Sequence, residues 1–440
     1  MFQNEFGEIE ITSNFECGSG LIKNIAENVF FIQIQSDPPI PITSIDFTGG
    51  YDWYFCVKIL NMKTQTTIID LIFNKKPLNS LDNDWFPTNI PFFYSYDSLK
   101  WHRLLEAKIG SNGSFFLRLS LEPGNLMYVS NSIPFKYGDM NFWLRTVQAK
   151  NERLCYLHSI GKTVQGRDIY MITITDPDVK EEDKDRVLIT SGLHPAEPDW
   201  LATTAIIEYL TGDSDWSKDI RRKYITDIIT QANPDGTVLG TNGCNANGIN
   251  LYWDFRPYDR EQSPEAYYLW NWIENHPPII YIDFHCYTVQ IHKDYSPYIK
   301  PLFFYDSRKL RKIVKRIDTA LISLSNGRYM GGYLTSIPNT LNVQITEKFS
   351  TIAYTKYHLH LKHGEDNCKA LGLAVWKTIL EIADEFRPLK VFLRKPYGKS
   401  KRSCLMGFVR KVYYAQKNSG PLRKVLKFVY RIFTKINSIK

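Results

Sequence analysis

The chain has 440 residues, 43% of them apolar and 23% charged, which is enough for two globular domains with real cores. Seven scattered cysteines (Cys17, Cys56, Cys155, Cys244, Cys286, Cys368, Cys404) form no CxxC pair and are odd in number, which favours free thiols over a disulfide framework. No stretch has the length of an uncharged membrane span, and the opening Met1-Phe2-Gln3-Asn4-Glu5-Phe6 has neither the basic nor the apolar region of a secretory signal. The expected location is cytoplasmic, or peripheral on the inner face of a membrane.

Residues 1–137 are expected to form an antiparallel β-sandwich. Val29–Ile34, Trp53–Ile59 and Ser114–Leu121 are short runs of aromatic and β-branched residues at period two, separated by turn residues. From 138 to 388 strands alternate with helices, the pattern of an α/β domain with a mixed sheet flanked by helices. Asp168–Ile174, Val187–Gly192, Tyr224–Thr230, Ile279–Phe284 and Leu341–Ile345 read as strands. Trp200–Leu210 reads as a helix ending at Gly212, and Asn367–Phe386 as a long terminal helix.

The net charge of +8 conceals an asymmetry. From Arg394 onward there are 14 Lys or Arg and no Asp or Glu, so +8 less 14 leaves −6 for residues 1–393. Residues 389–440 therefore form a basic extension. Within it Leu422, Val425, Leu426, Val429 and Phe433 fall on one helical face behind Pro421. Residues 394–440 are expected to lie on an anionic membrane surface or to pack on the acidic body. No nucleic-acid-binding module accompanies the charge, so nucleic acid is not an expected partner.

Chemistry concentrates where two apolar runs end. Val187–Gly192 runs into His194-Pro195-Ala196-Glu197, and Ile279–Phe284 ends at His285. Two imidazoles and a carboxylate suit one Zn²⁺ ion, and three protein ligands leave the open position of a catalytic site. In open α/β sheets ligands bind beyond the carboxyl ends of the strands, where both histidines are expected. Glu347, after Leu341–Ile345, is the candidate general base.

The order His194-Pro195-Ala196-Glu197, Asn233-Pro234-Asp235-Gly236, Gly248-Ile249-Asn250-Leu251, Asp283-Phe284-His285 and Thr346-Glu347 resembles the zinc carboxypeptidases. It looks most like their cytosolic carboxypeptidase branch, which removes glutamates from protein tails and carries a β-sandwich ahead of the catalytic domain. Asn14–Gly20, Trp53-Tyr54-Phe55 and Gly161–Asp168 are similar to that branch as well. The resemblance implies zinc held by His194, Glu197 and His285, and hydrolysis of an amide bond by zinc-activated water with Glu347 as base.

Departures from the family pattern bear on the substrate. Tyr252 and Trp253 stand where the resemblance places an Asn-Arg pair that holds a terminal carboxylate, and a further family arginine falls near Gly243. An aromatic ring does not replace a bidentate guanidinium. Asn250 replaces an aspartate, so any contact it makes to a zinc ligand is neutral. Either Arg256 or Arg260 takes over carboxylate binding on a peptide tail, or Tyr252 and Trp253 stack on an acylated small molecule or glycan, making the enzyme an amidase, deacylase or esterase. The alternative reading of Tyr252 and Trp253 is plain core packing, and an inactive binding module is the remaining reading of the chain. Tyr329 and Tyr333 are weaker candidates for a tyrosine over the substrate. His358, His360 and His363 read as a surface segment, and Cys286 as a small buried residue.

Overall fold

The computed structural model describes residues 9–38, 52–73, 92–104, 108–109, 114–287, 298–299, 308–324 and 340–387. Residues 389–440, Tyr329 and Tyr333 lie outside them.

The first ten strands are β1 (Ile9–Thr12), β2 (Leu21–Ala26), β3 (Val29–Gln33), β4 (Cys56–Asn61), β5 (Thr67–Phe73), β6 (Phe92–Ser95), β7 (His102–Leu104), β8 (Lys108–Ile109), β9 (Phe115–Leu121) and β10 (Leu126–Ser130). They make two five-stranded sheets, ordered β1-β4-β10-β6-β7 and β2-β3-β5-β9-β8. Period-two patterning dictates the buried faces: on β9, Phe115, Leu117, Leu119 and Leu121 are buried while Arg118 and Ser120 are not. The inner faces share one core, in which the Phe55 ring lies 4.3 Å from Phe73 of one sheet and 5.8 Å from Phe92 of the other. One pair departs from the expected antiparallel arrangement. β3 and β5 are parallel, because the chain crosses to the other sheet as β4 between them.

The second region contains α1 (Tyr137–Lys150), β11 (Cys155–Lys162), β12 (Asp168–Ile174), β13 (Asp185–Thr190), α2 (Trp200–Thr211), α3 (Asp215–Lys223), β14 (Tyr224–Ile229), α4 (Pro234–Leu239), α5 (Pro264–Asn275), β15 (Ile280–Tyr287), β16 (Tyr298–Ile299), α6 (Arg308–Leu324), α7 (Leu341–Phe349), β17 (Ile352–His360) and α8 (Glu365–Phe386). Its seven strands form a mixed sheet in the order β11-β12-β14-β13-β15-β17-β16, with β14, β13, β15 and β17 mutually parallel. β14 is buried along its whole length, as a strand covered by helices on both faces must be. Helices α2 and α8 pack together closely at Gly372, where a Cβ would come within 2.4 Å of the Ala202 Cβ.

One element differs in kind from the expectation. Leu341–Ile345 alternates apolar and polar residues but belongs to the helix α7, whose buried residues include Leu341, Asn342, Val343, Ile345 and Thr346. Short apolar runs are ambiguous between the two periods. Ser350, at φ 58°, ends the helix in the left-handed region, and the following β17 takes the place beside β15. The expected surface segment around His358 and His360 is therefore a sheet strand, with His360 only 2% exposed.

Candidate metal centre

Strands β13 and β15 are parallel neighbours, with Thr190 opposite Asp283, so their carboxyl ends open onto the same edge of the sheet. Gly192, two residues past the end of β13, has φ 73°, and a Cβ there would come within 3.0 Å of the Gln231 backbone. That left-handed residue turns the chain out of the sheet toward His194. The Gly192 amide donates to both carboxylate oxygens of buried Asp199, at 3.1 and 3.0 Å, and the Glu197 amide to the His194 carbonyl at 3.1 Å. These bonds pin the loop from both ends.

His194, Glu197 and His285 offer ligand atoms that all lie within 4.8 Å of one another. Glu197 Oε1 is 2.9 Å from His194 Nδ1, and Oε2 is 3.1 Å from His285 Nδ1. The Cys286 amide donates to the same Oε2 at 2.9 Å. Both imidazoles thus turn Nδ1 inward and Nε2 outward, and a different partner meets each outer nitrogen.

Behind His194 stands Asn250, whose Oδ1 accepts from the amides of Tyr252 at 3.2 Å and Trp253 at 3.0 Å. Two backbone donors on that atom identify it as the oxygen, so His194 Nε2, 3.2 Å away, donates its proton to it. Nδ1 is left as the lone-pair nitrogen, facing inward. Behind His285 stands Asp283, with Oδ2 3.0 Å from Nε2. Asp283 and His285 share a face because they are two residues apart on a strand. Thr190 donates to Asp283 Oδ1 at 2.8 Å and its hydroxyl meets that of Tyr281 at 2.8 Å, fixing the carboxylate.

The pocket's charge calls for a cation. Burial works against ionising Glu197, yet the two imidazoles beside it outweigh burial and hold its carboxyl well below the usual range. Burial alone would lower His285, but the Asp283 and Glu197 carboxylates outweigh it and push the imidazole up to about 10. Asp199 moves the other way: burial and then the nearby Glu197 charge raise it well above an ordinary carboxyl. A metal ion would take the place of the inward proton on His285, and two inward Nδ1 atoms with one ionised carboxylate, their outer atoms tied, are then the donor set that Zn²⁺ prefers.

The other expected site residues fall elsewhere. Tyr252 and Trp253 are 2% and 7% exposed, and the Tyr252 ring meets His285 edge-on at 4.7 Å and His194 at 5.6 Å. Tyr252 packs against both imidazoles and Trp253 packs behind Tyr252, at 4.5 Å between ring centroids. Arg256 donates through Nε at 2.9 Å and Nη2 at 2.6 Å to Oδ2 of buried Asp254. Arg260 donates to the Tyr268 hydroxyl at 2.9 Å and lies over the rings of Tyr267 and Tyr268. Both guanidiniums are engaged within the protein.

The placement of Glu347 needs a correction, because it lies in the last turn of α7 and not at a strand end. The next two residues pack on α5: Lys348 pairs with Glu274, and the Phe349 ring is 6.0 Å from Trp270. That end of α5 feeds the start of β15, where Ile280 pairs with Ile352. His285 is five residues further along the strand, about 17 Å at the usual rise. Beside His285 the register of β17 places Tyr357 and His358, and no Asp or Glu occurs in Ile352–His360. Asp283, the most intimate partner of a ligand, had no role assigned from sequence, although Asp-x-His at strand period carried the signal.

The zinc carboxypeptidase family pattern matches residues 140–363, just over half of the chain. Cytosolic carboxypeptidase 6 of Caenorhabditis elegans is 30% identical over 164 residues, which are 36% of this chain and 36% of that protein. Cytosolic carboxypeptidase 2 of Danio rerio is 26% identical over 300 residues, 62% of this chain and 40% of that one. The matched part spans less than half the length of these relatives. A metallo-carboxypeptidase from Burkholderia cenocepacia has the same fold, with TM-score 0.71 at 19% identity, covering 86% of this chain and all of that one.

Proposed function

We propose that this chain, which belongs to the zinc carboxypeptidase family, is a zinc-dependent hydrolase that cleaves an amide bond at the edge of its mixed sheet. Family and fold make it a metallocarboxypeptidase-like hydrolase. The observation that carries the zinc reading is the gathering of His194, Glu197 and His285 within 4.8 Å at the carboxyl ends of adjacent parallel strands. His194 and His285 would hold the ion through Nδ1 and Glu197 through its carboxylate. Bound there, zinc supplies a Lewis acid for a carbonyl and lowers the pKa of water toward about 7.

The residues of the chain set the remaining terms. Asn250 and Asp283 hold the two imidazoles with their lone pairs inward, and the Tyr252 ring keeps water from their edges. Engagement of Arg256 by Asp254, and of Arg260 by two tyrosines, argues against either as a clamp for a terminal carboxylate. The favoured substrate is therefore a peptide or acylated compound recognised away from a free carboxylate, and an amidase, deacylase or esterase is preferred to an ordinary carboxypeptidase. The names of the relatives favour a cytoplasmic setting.

Zinc-loaded protein should be offered matched peptides with free and amidated C-termini, together with acylated sugars. Equal or preferential turnover of the blocked substrates supports this reading, and strict dependence on a free carboxylate overturns it. A second reading, a zinc-binding module without turnover, is favoured by one observation: β17 brings no acidic side chain beside His285. Zinc bound at one per chain with no hydrolysis of any of these substrates would establish it.

A further inference from the structure

Asp37 lies before the second region begins, more than 150 residues from any metal ligand in sequence, yet it holds the loop behind His194. Its Oδ1 accepts from the Asn242 backbone amide and from Asn242 Nδ2, both at 3.1 Å. Its Oδ2 accepts from the amides of Gly243 at 2.6 Å and Cys244 at 3.1 Å. Four N–H groups on one carboxylate form a nest, a strong and directional anchor. The loop is gripped from the same side a second time, since Asn242 Oδ1 accepts from the amides of Trp53 at 2.9 Å and Tyr54 at 2.7 Å.

From this nest a short rigid path leads to the metal centre. Cys244 bridges Asn250 in an isolated antiparallel pair. Between them Asn245 accepts the Ile249 amide on Oδ1 at 3.0 Å and donates from Nδ2 to buried Glu265 at 2.9 Å, so the turn has little freedom. Asn250 then receives the outer proton of His194. The N-terminal region also touches the other half of the ligand loop, where the Ser132 hydroxyl donates to the Ala196 carbonyl at 2.7 Å.

We infer that Asp37 is a positioning residue for the metal centre: by clamping the amides of Asn242, Gly243 and Cys244 it sets Asn250, and through Asn250 it fixes the tautomer and ring orientation of His194. The N-terminal sheets thereby complete the metal site, beyond supporting the second region mechanically. The inference rests on the zinc reading above.

The test is the zinc affinity of the full-length chain, measured by competition with a chromophoric chelator. Removal of a partner that orients a ligand costs about 10–100-fold in metal affinity. Asp37→Asn should weaken zinc binding by about tenfold, at the lower end of that range, and Asn250→Ala by at least as much. If Asp37 acts through Asn250, the double variant binds zinc within about twofold of Asn250→Ala alone, because coupled residues are non-additive. Asp70→Asn, which breaks the Asp70–Arg118 pair on an N-terminal sheet, should leave the affinity unchanged. Should Asp37→Asn fail to fold, Asp37→Ser keeps one acceptor oxygen and carries the same comparison. Wild-type affinity in the folded Asp37 variant, or losses that multiply in the double variant, would overturn the inference. A wild-type chain that binds no zinc would instead sink the proposed function, and this inference with it.

Discussion

Replacing Asp318 by Asn should change how stability depends on pH. Asp318 sits on the inner face of α6, 8% exposed, where Tyr354 donates to its Oδ1 at 3.3 Å. Burial pushes its carboxyl from 3.8 to about 7, and the tyrosine hydroxyl offsets only part of that. In the folded chain the group keeps its proton after the unfolded chain has released it. Its contribution to stability is therefore fully present below 3.8 and is lost as pH rises toward about 7. At roughly 1.4 kcal/mol per pH unit the whole loss is about 4 kcal/mol, of which about 3 falls between pH 4.5 and 8. Asn keeps the acceptor for Tyr354 and cannot ionise. Denaturant unfolding followed by tryptophan fluorescence should show the stability of Asp318→Asn, relative to wild type, rising by about 3 kcal/mol across that window. Taking the difference cancels every other titrating group. A difference that stays flat within about 1 kcal/mol would refute the reasoning.

Glu347→Gln should keep hydrolytic activity within about twofold, because Glu347 lies in the last turn of α7, whose next two residues pack on the end of α5 that leads into β15. A fall of 10²-fold or more, the usual size of a general-base effect, would reinstate it as the base. Asp283→Asn should weaken zinc binding by about 10–100-fold, since His285 Nε2 loses its carboxylate partner. Chelator competition reads this directly, and unchanged affinity would show that Thr190 and Tyr281 hold nothing that matters to the metal. Tyr252→Ala should loosen both imidazoles and cost about 3–5 kcal/mol of stability, as expected for a buried aromatic, which thermal unfolding of the zinc-free chain would register. A loss under about 1 kcal/mol would mean that the ring faces an open cleft.

Local pattern carried much of this structure. Asp168–Ile174 reads as a strand from its alternation, and β12 has those bounds. Gly212 marks the end of α2 because it closes an apolar run of helical period. His194-Pro195-Ala196-Glu197 and Asp283-Phe284-His285 are legible for the same reason, each packing its chemistry into a few residues after an apolar strand. Leu341–Ile345 was misleading because five alternating residues fit either period, and only the competition for the place beside β15 decides between them. The expected strand-end placement of Glu347 inherited that error. Arg256 and Arg260 read as clamps from sequence because sequence shows a charge without its partner; Asp254 and Tyr268 are what engage them. Asp37 carried no local signal at all. Its role arises from a contact across 205 residues, which tertiary packing creates and no spacing rule contains.

The central claim is that His194, Glu197 and His285 hold one zinc ion. Metal analysis by atomic emission, on the full-length chain purified without chelator, tests it most directly when His285→Ala and Glu197→Ala are run alongside. The structure predicts one zinc per wild-type chain and close to none in either variant. A wild-type chain without zinc, or variants that retain it in full, would contradict the account.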